Sequence, residues 1–322
     1  MADDLTCSEE YGTESLVKED NVDPSQLNSC ALDVQRVIQM QLYREKVGGY
    51  MTRNADYLLE IQKEGMEASW RRKICHWMFE TGKAFDLSVD TVGCAVYYMD
   101  QYLSRYSVDK VMLQLLSLVC MGVASKMHEK FPITMEEMQV LSQKKFSCLE
   151  IGRLERQLLH LIEWKLSPPC SFTFAKTLLE GIQLPHDERA EITDAVCELL
   201  KEVTEDYHSI RIKSSLLGFG AVHVVWNHKR LRSSSYLKSA LSSLQLATTE
   251  KDFIETYRFI LQQHHTRSQQ ARFISVEESK SETSRSVSPT GVDDPGSLVR
   301  HPVDALFDAI SEEGRPSKRQ RF

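Results

Sequence analysis

Proline is missing from residues 25–131 and again from 186–288. A proline inside a helix costs about 3 kcal/mol, so spans this long without one leave room for uninterrupted helices. Strict polar/apolar alternation is also lacking, which argues against half-buried strands. The eight cysteines are widely scattered, the closest two (Cys75 and Cys94) standing 19 residues apart. There is therefore no CxxC pair, zinc ribbon or local redox motif, and neither a metal nor a cofactor is expected. No GxGxxG or GxxxxGK pattern occurs, and Gly218-Phe219-Gly220 is too short to suggest phosphate binding. No nucleophile–base pair stands out, so the chain does not read as an enzyme. Residues 111–124 (VMLQLLSLVCMGVA) are apolar almost throughout. Fourteen residues fall short of the ~20 that span a bilayer, so no membrane association is expected. The acidic start MADDLTCSEE has no apolar run and does not read as a signal peptide. A reducing cytoplasm or nucleus is the expected compartment.

What is present is globular composition, 42% hydrophobic and 26% charged, over 322 residues, enough for about two domains. Residues 1–30 hold eight acids and one base, a net −7, which is the net charge of the whole chain. The rest is neutral, which disfavours direct nucleic-acid binding and marks the N-terminal segment as an acidic tail.

Apolar residues recur at helical spacing in successive segments. Val34, Val37, Ile38 and Leu42 predict a helix over 33–47, stopped by Gly48-Gly49. Ile74, Trp77, Met78 and Phe85 predict one over 69–85. Asp90 is a candidate N-cap for the next, striped by Val92, Val96, Met99 and Leu103. Residues 111–124, greasy on every side, predict the buried centre of a bundle. Thr134 with Glu137 has capping-box spacing, and Ile151, Leu154, Leu158 and Leu161 mark a helix over 147–164. Ser167-Pro168-Pro169 breaks the chain before a second helical set over about 171–264. Around ten helices thus fall into two groups of about five. From 266 a serine-rich stretch predicts a disordered tail.

Some ionisable residues fall beside these stripes. Arg71 shares a face with Ile74 and Met78, and Asp100 flanks the stripe containing Val96 and Leu103. Either both are surface residues, or they turn inward and pair, since a buried charge needs a partner. Lys126 ends the apolar helix and Glu155 flanks Ile151 and Leu158; alone, each reads as an ordinary flanking charge.

Four blocks taken together resemble the cyclin box. Trp70-Arg71-Arg72-Lys73-Ile74-Cys75-His76-Trp77-Met78 is similar to its opening helix, and Tyr98-Met99-Asp100-Gln101-Tyr102-Leu103-Ser104 to its Y-[IL]-D-R-[FY]-L-S. Leu113-Gln114-Leu115 followed by Ala124-Ser125-Lys126 is similar to L-Q-L…A-[SC]-K, and Glu155 follows Lys126 at the family's spacing. The resemblance implies an all-α fold of two tandem five-helix cyclin-box domains, with an N-terminal helix and disordered tails. The expected division is 1–30 acidic tail, 31–166 N-terminal helix and first box, 167–265 second box, 266–322 tail. Cyclins have no catalytic residues; they pack on a protein kinase and move its C helix so that the catalytic Lys–Glu ion pair forms. The family's counterparts of Lys126 and Glu155 contact the kinase, and those of Arg71 and Asp100 form an internal pair. The family's peptide-docking groove corresponds to Trp70, Ile74, Trp77, Glu80 and Gln114, with Lys73 where an apolar residue is usual; plain core packing of Trp77 is the other reading.

Leu5-Thr6-Cys7-Ser8-Glu9 is an LxCxE sequence, resembling the retinoblastoma-binding motif of D-type cyclins. Leu and Cys would fill apolar clefts while the glutamate meets backbone donors. The implied partners are a cyclin-dependent kinase, at G1/S, and a retinoblastoma-like pocket protein. Ser288-Pro289 is a candidate proline-directed phosphosite, and Lys318-Arg319-Gln320-Arg321 is either a solvated end or an import signal. Nucleus and cytoplasm are the expected locations. The alternatives are a transcription-type cyclin of a polymerase-tail kinase and a cyclin-fold nucleic-acid-binding transcription factor.

Overall fold

The structure, a computed structural model, describes residues 24–182, 184–229 and 251–266, with side chains from residue 33 onward. No strand occurs among the described residues. Helix α1 (Pro24–Val47) starts earlier than the apolar pattern indicates and stops at Gly48-Gly49, where Gly49 takes a left-handed φ of 64°. A proline at the first helical position is tolerated because its missing N–H has no intrahelical partner there. A four-residue helix α2 (Tyr57–Glu60) precedes α3 (Ala68–Ala84). The N-cap of α4 (Val89–Leu103) is Ser88 rather than Asp90: the Ser88 side chain accepts from the Asp90 N–H.

Helix α5 (Lys110–His128) is longer than 111–124 because Asp109 caps it one residue earlier, accepting from the Met112 N–H, and its last turn runs through Lys126 and His128. At 19 residues it is long and apolar enough to cross a membrane, but every residue from Leu113 to Ser125 is buried. It forms the axis of a bundle with α3, α4, α6 (Met135–Leu141) and α7 (Cys148–Leu161). Capping boxes fix the starts of α6 (Thr134 with Glu137) and α7 (Ser147 with Glu150).

After Pro168-Pro169 come α8 (Ser171–Glu180), α9 (His186–Glu205), a 3-10 turn (Tyr207–Arg211), α10 (Ser214–His228) and α11 (251–266). Helices α8, α9 and α10 pack on one another, while α4 meets α8 and α3 meets α9. The division at 166/167 places α1 with the first bundle, but α1 packs chiefly on α8 and α10. Glu45 secures it there, accepting from the Ser215 N–H at 3.0 Å and from the Ser215 hydroxyl at the start of α10. Gly218, in α10, faces the Ser171 carbonyl so closely that a Cβ would lie 2.5 Å from that oxygen.

Candidate partner-binding site

Arg71 and Asp100 meet inside the molecule, 1% and 5% exposed. Arg71 donates Nε–H to Oδ1 at 2.9 Å and Nη2–H to Oδ2 at 2.8 Å, a bidentate pair. Its Nη1 donates onward to the carbonyls of Thr204 (2.9 Å) and Glu205 (3.1 Å), at the C-terminal end of α9. Tyr57 donates its hydroxyl to Asp100 at 2.9 Å. Burial works against the Arg71 charge, but Asp100 overcomes it and holds the guanidinium protonated well above its ordinary range. Burial first, then the Asp100 charge, keeps Tyr57 a neutral donor. The same environment pushes the Cys75 thiol up to about 12, mainly through burial. This cluster joins both helical sets and cannot reach a partner.

Lys126 and Glu155 are also brought together, but at the surface. Packing of α5 against α7 sets the last turn of the first beside the middle of the second, and Lys126 Nζ donates to Glu155 Oε1 at 2.6 Å. The side chains are 42% and 21% exposed. Next in sequence, Met127 is exposed. His128 donates from its ring to the Leu166 carbonyl at 2.9 Å, holding the segment after α7 against the end of α5. That segment contains Glu163 and Trp164, two consecutive non-glycine residues with left-handed φ of 53° and 58°. Such conformations cost of order 1 kcal/mol or more each. The turn leaves the Trp164 indole 62% exposed. A charge pair followed by an exposed methionine, with an exposed tryptophan on the segment that His128 ties to the end of α5, offers the apolar anchors and register-setting groups that bind protein. Phe131, Val140 on α6 and Leu149 in the first turn of α7 are also exposed.

Met127 and Trp164 escape a periodicity argument. The helix expected over 147–164 would include Trp164, but α7 ends at Leu161, so helical spacing does not give its direction; Met127 follows a run of buried apolar residues. The resemblance itself singled out Lys126 and Glu155; their contact with each other emerged only in three dimensions.

The docking-groove residues are not gathered into an open groove. Ile74 and Trp77 are fully buried and Gln114 is 3% exposed. Trp70 is half-buried with the Lys110 ammonium 4.6 Å over its ring, and Glu80 alone of the five is exposed. The cause is packing: positions 74, 77 and 78 share one face of α3, and all three side chains are buried in the core. Among the described residues no group of three His, Cys, Asp or Glu side chains could hold a metal. Leu5, Cys7, Glu9, Ser288 and the basic C-terminus lie outside the described residues.

Residues 36–167 match the family of cyclin N-terminal domains. G1/S-specific cyclin-D3 of Mus musculus and that of Homo sapiens are each 28% identical to the chain over 188 residues, 58% of this chain and 63% of theirs. The chain thus spans less than two thirds of the length of these relatives. A putative cyclin-A3-1 of Arabidopsis thaliana is 29% identical over 168 residues, 52% of this chain and 47% of that protein. A viral cyclin from herpesvirus saimiri superposes with a TM-score of 0.60 at 20% identity, covering 70% of this chain and 96% of the viral one, a likeness of fold.

Proposed function

The chain belongs to the cyclin family, with similarity to the D-type, and from that premise we propose that it is the regulatory subunit of a cyclin-dependent Ser/Thr protein kinase acting at G1/S. The LxCxE tail would bring a retinoblastoma-like substrate to that kinase. One observation carries the kinase reading: Lys126 and Glu155, 29 residues apart in the chain, form one pair at the surface, followed in sequence by the exposed Met127.

The mechanism is a coupling free energy. Binding the active arrangement of the kinase more tightly than the inactive one shifts the kinase toward activity. Moving such an equilibrium from 1:99 to 99:1 takes about 5.5 kcal/mol of differential binding. An exposed ion pair supplies about 0–1 kcal/mol. The apolar anchors must therefore provide most of the difference, while Lys126 and Glu155 exchange each other for kinase backbone and side-chain partners and set the register.

The test is a pull-down with mass identification of the bound kinase, repeated with Lys126→Ala/Glu155→Ala. The expected result is capture of a cyclin-dependent kinase by the parent chain and loss of at least tenfold in affinity for the double variant. The melting temperature should change little, because the pair is exposed. Retained kinase binding overturns the assignment of these residues, and a polymerase-tail kinase as the bound partner overturns the G1/S reading.

A further inference from the structure

Cys94, in α4, and Cys170, the N-cap of α8, are 76 residues apart in sequence but meet across the junction of the two helical sets. Cys94 and Cys170 stand on the wall of the same cavity, and the Cys170 thiol donates to the Asp90 carbonyl at 3.9 Å. The Cys170 sulfur sits against the α4 backbone: a Cβ on Gly93 would be 2.8 Å from it. Both cysteines line one open cavity of about 500 Å³, bounded by Asp90, His128, Thr173 and Lys176. Of the other described cysteines none lines this cavity: Cys75 and Cys120 are fully buried, Cys197 is buried on α9 and Cys148 is exposed on α7.

We propose that Cys94 and Cys170 form a peroxide-sensitive dithiol that closes to a disulfide, tying α4 to the start of α8. Cys170 is the attacking sulfur, because it is the more accessible of the two, 9% exposed against 5% for Cys94. Its thiolate attacks hydrogen peroxide; the O–O bond breaks, Cys170 becomes a sulfenic acid and hydroxide leaves, taking a proton to become water. The Cys94 sulfur then attacks the Cys170 sulfur, the S–O bond breaks, and the departing hydroxide takes the Cys94 proton. In sum two thiols and one peroxide give one disulfide and two waters, the sulfurs being oxidised and the peroxide oxygens reduced. The contact with Cys170, and then burial, raise the Cys94 thiol well above its ordinary range, so Cys94 is still a thiol when peroxide reacts.

The bond would close a long loop spanning α5, α6, α7 and the Pro168-Pro169 break, and loops of that length restrict the unfolded chain most. The experiment treats the full chain, natively folded, with mild hydrogen peroxide, then maps tryptic peptides with and without reduction. The expected product joins the peptides containing Cys94 and Cys170 and is lighter by two hydrogens. It should vanish on reduction and accompany a rise of several degrees in the unfolding midpoint. Cys94→Ser should instead accumulate a dimedone-reactive sulfenic acid at Cys170. The parent chain gives the decisive readout, so a variant that fails to fold does not weaken the test. A link from either sulfur to Cys197 or Cys148, a link that forms only in denaturant, or oxidation of Cys170 without any link would overturn the proposal.

Discussion

Arg71 can be buried because four acceptor contacts surround its guanidinium: two from Asp100 and one each from the Thr204 and Glu205 carbonyls. Removing one partner of such a group leaves the other charge without compensation, at a cost of about 3–5 kcal/mol. Asp100→Ala should therefore lower stability by about that amount in urea unfolding, also stranding the Tyr57 hydroxyl; a loss below 1 kcal/mol would contradict the network. Glu45 is a milder case. Burial raises its pKa despite the Ser215 hydrogen bonds, which act to lower it. As pH rises, the unfolded carboxyl ionises first while the folded one stays protonated. The folded state then binds more protons, and stability falls until pH passes the folded pKa. Glu205 shifts the same way, through burial opposed by His76. Urea midpoints measured from about pH 4 to 7 should thus show a smaller decline with rising pH for Glu45→Gln than for the parent, Glu205 adding to the decline and His223, whose pKa burial lowers, opposing it. An unchanged slope would show that Glu45 contributes none of it.

Helix starts were largely readable in advance, helix contacts were not. The Thr134–Glu137 capping box follows from residue types three apart, because a cap is satisfied by the backbone next to it. Helix α2 has only four residues, too few to display a period, and its place is set by distant partners: Tyr57 bonds Asp100, and the Leu58 N–H donates to the Tyr207 hydroxyl at 3.2 Å. Gly218 also lacks a local signal. Its role is to let α10 approach the backbone of α8. Gly218→Ala gains about 1 kcal/mol in helix propensity. It also presses a methyl group onto the Ser171 carbonyl, a backbone atom that cannot swing aside, and overpacking of this kind costs about 1–3 kcal/mol. The clash should win, lowering the melting temperature; a rise would mean that α8 and α10 can separate freely.

Over the whole molecule, the net charge resides in residues 1–30, so the proposed recruiting motif and the proposed kinase surface are separable. Cys7→Ala/Glu9→Ala should abolish binding to a retinoblastoma-like pocket protein while leaving kinase activation intact; unchanged pocket binding would remove the motif from the proposal. The all-helical class, the buried α5 and the break at Pro168-Pro169 were determined by sequence alone, because apolar period and proline act through neighbours within a turn or two. Tertiary structure alone decided that Lys126 meets Glu155, that α1 lies on α8 and α10, and that Cys94 and Cys170 share one cavity wall. Each of those outcomes depends on which helix packs against which, and a helical stripe records that a face is buried without recording what covers it.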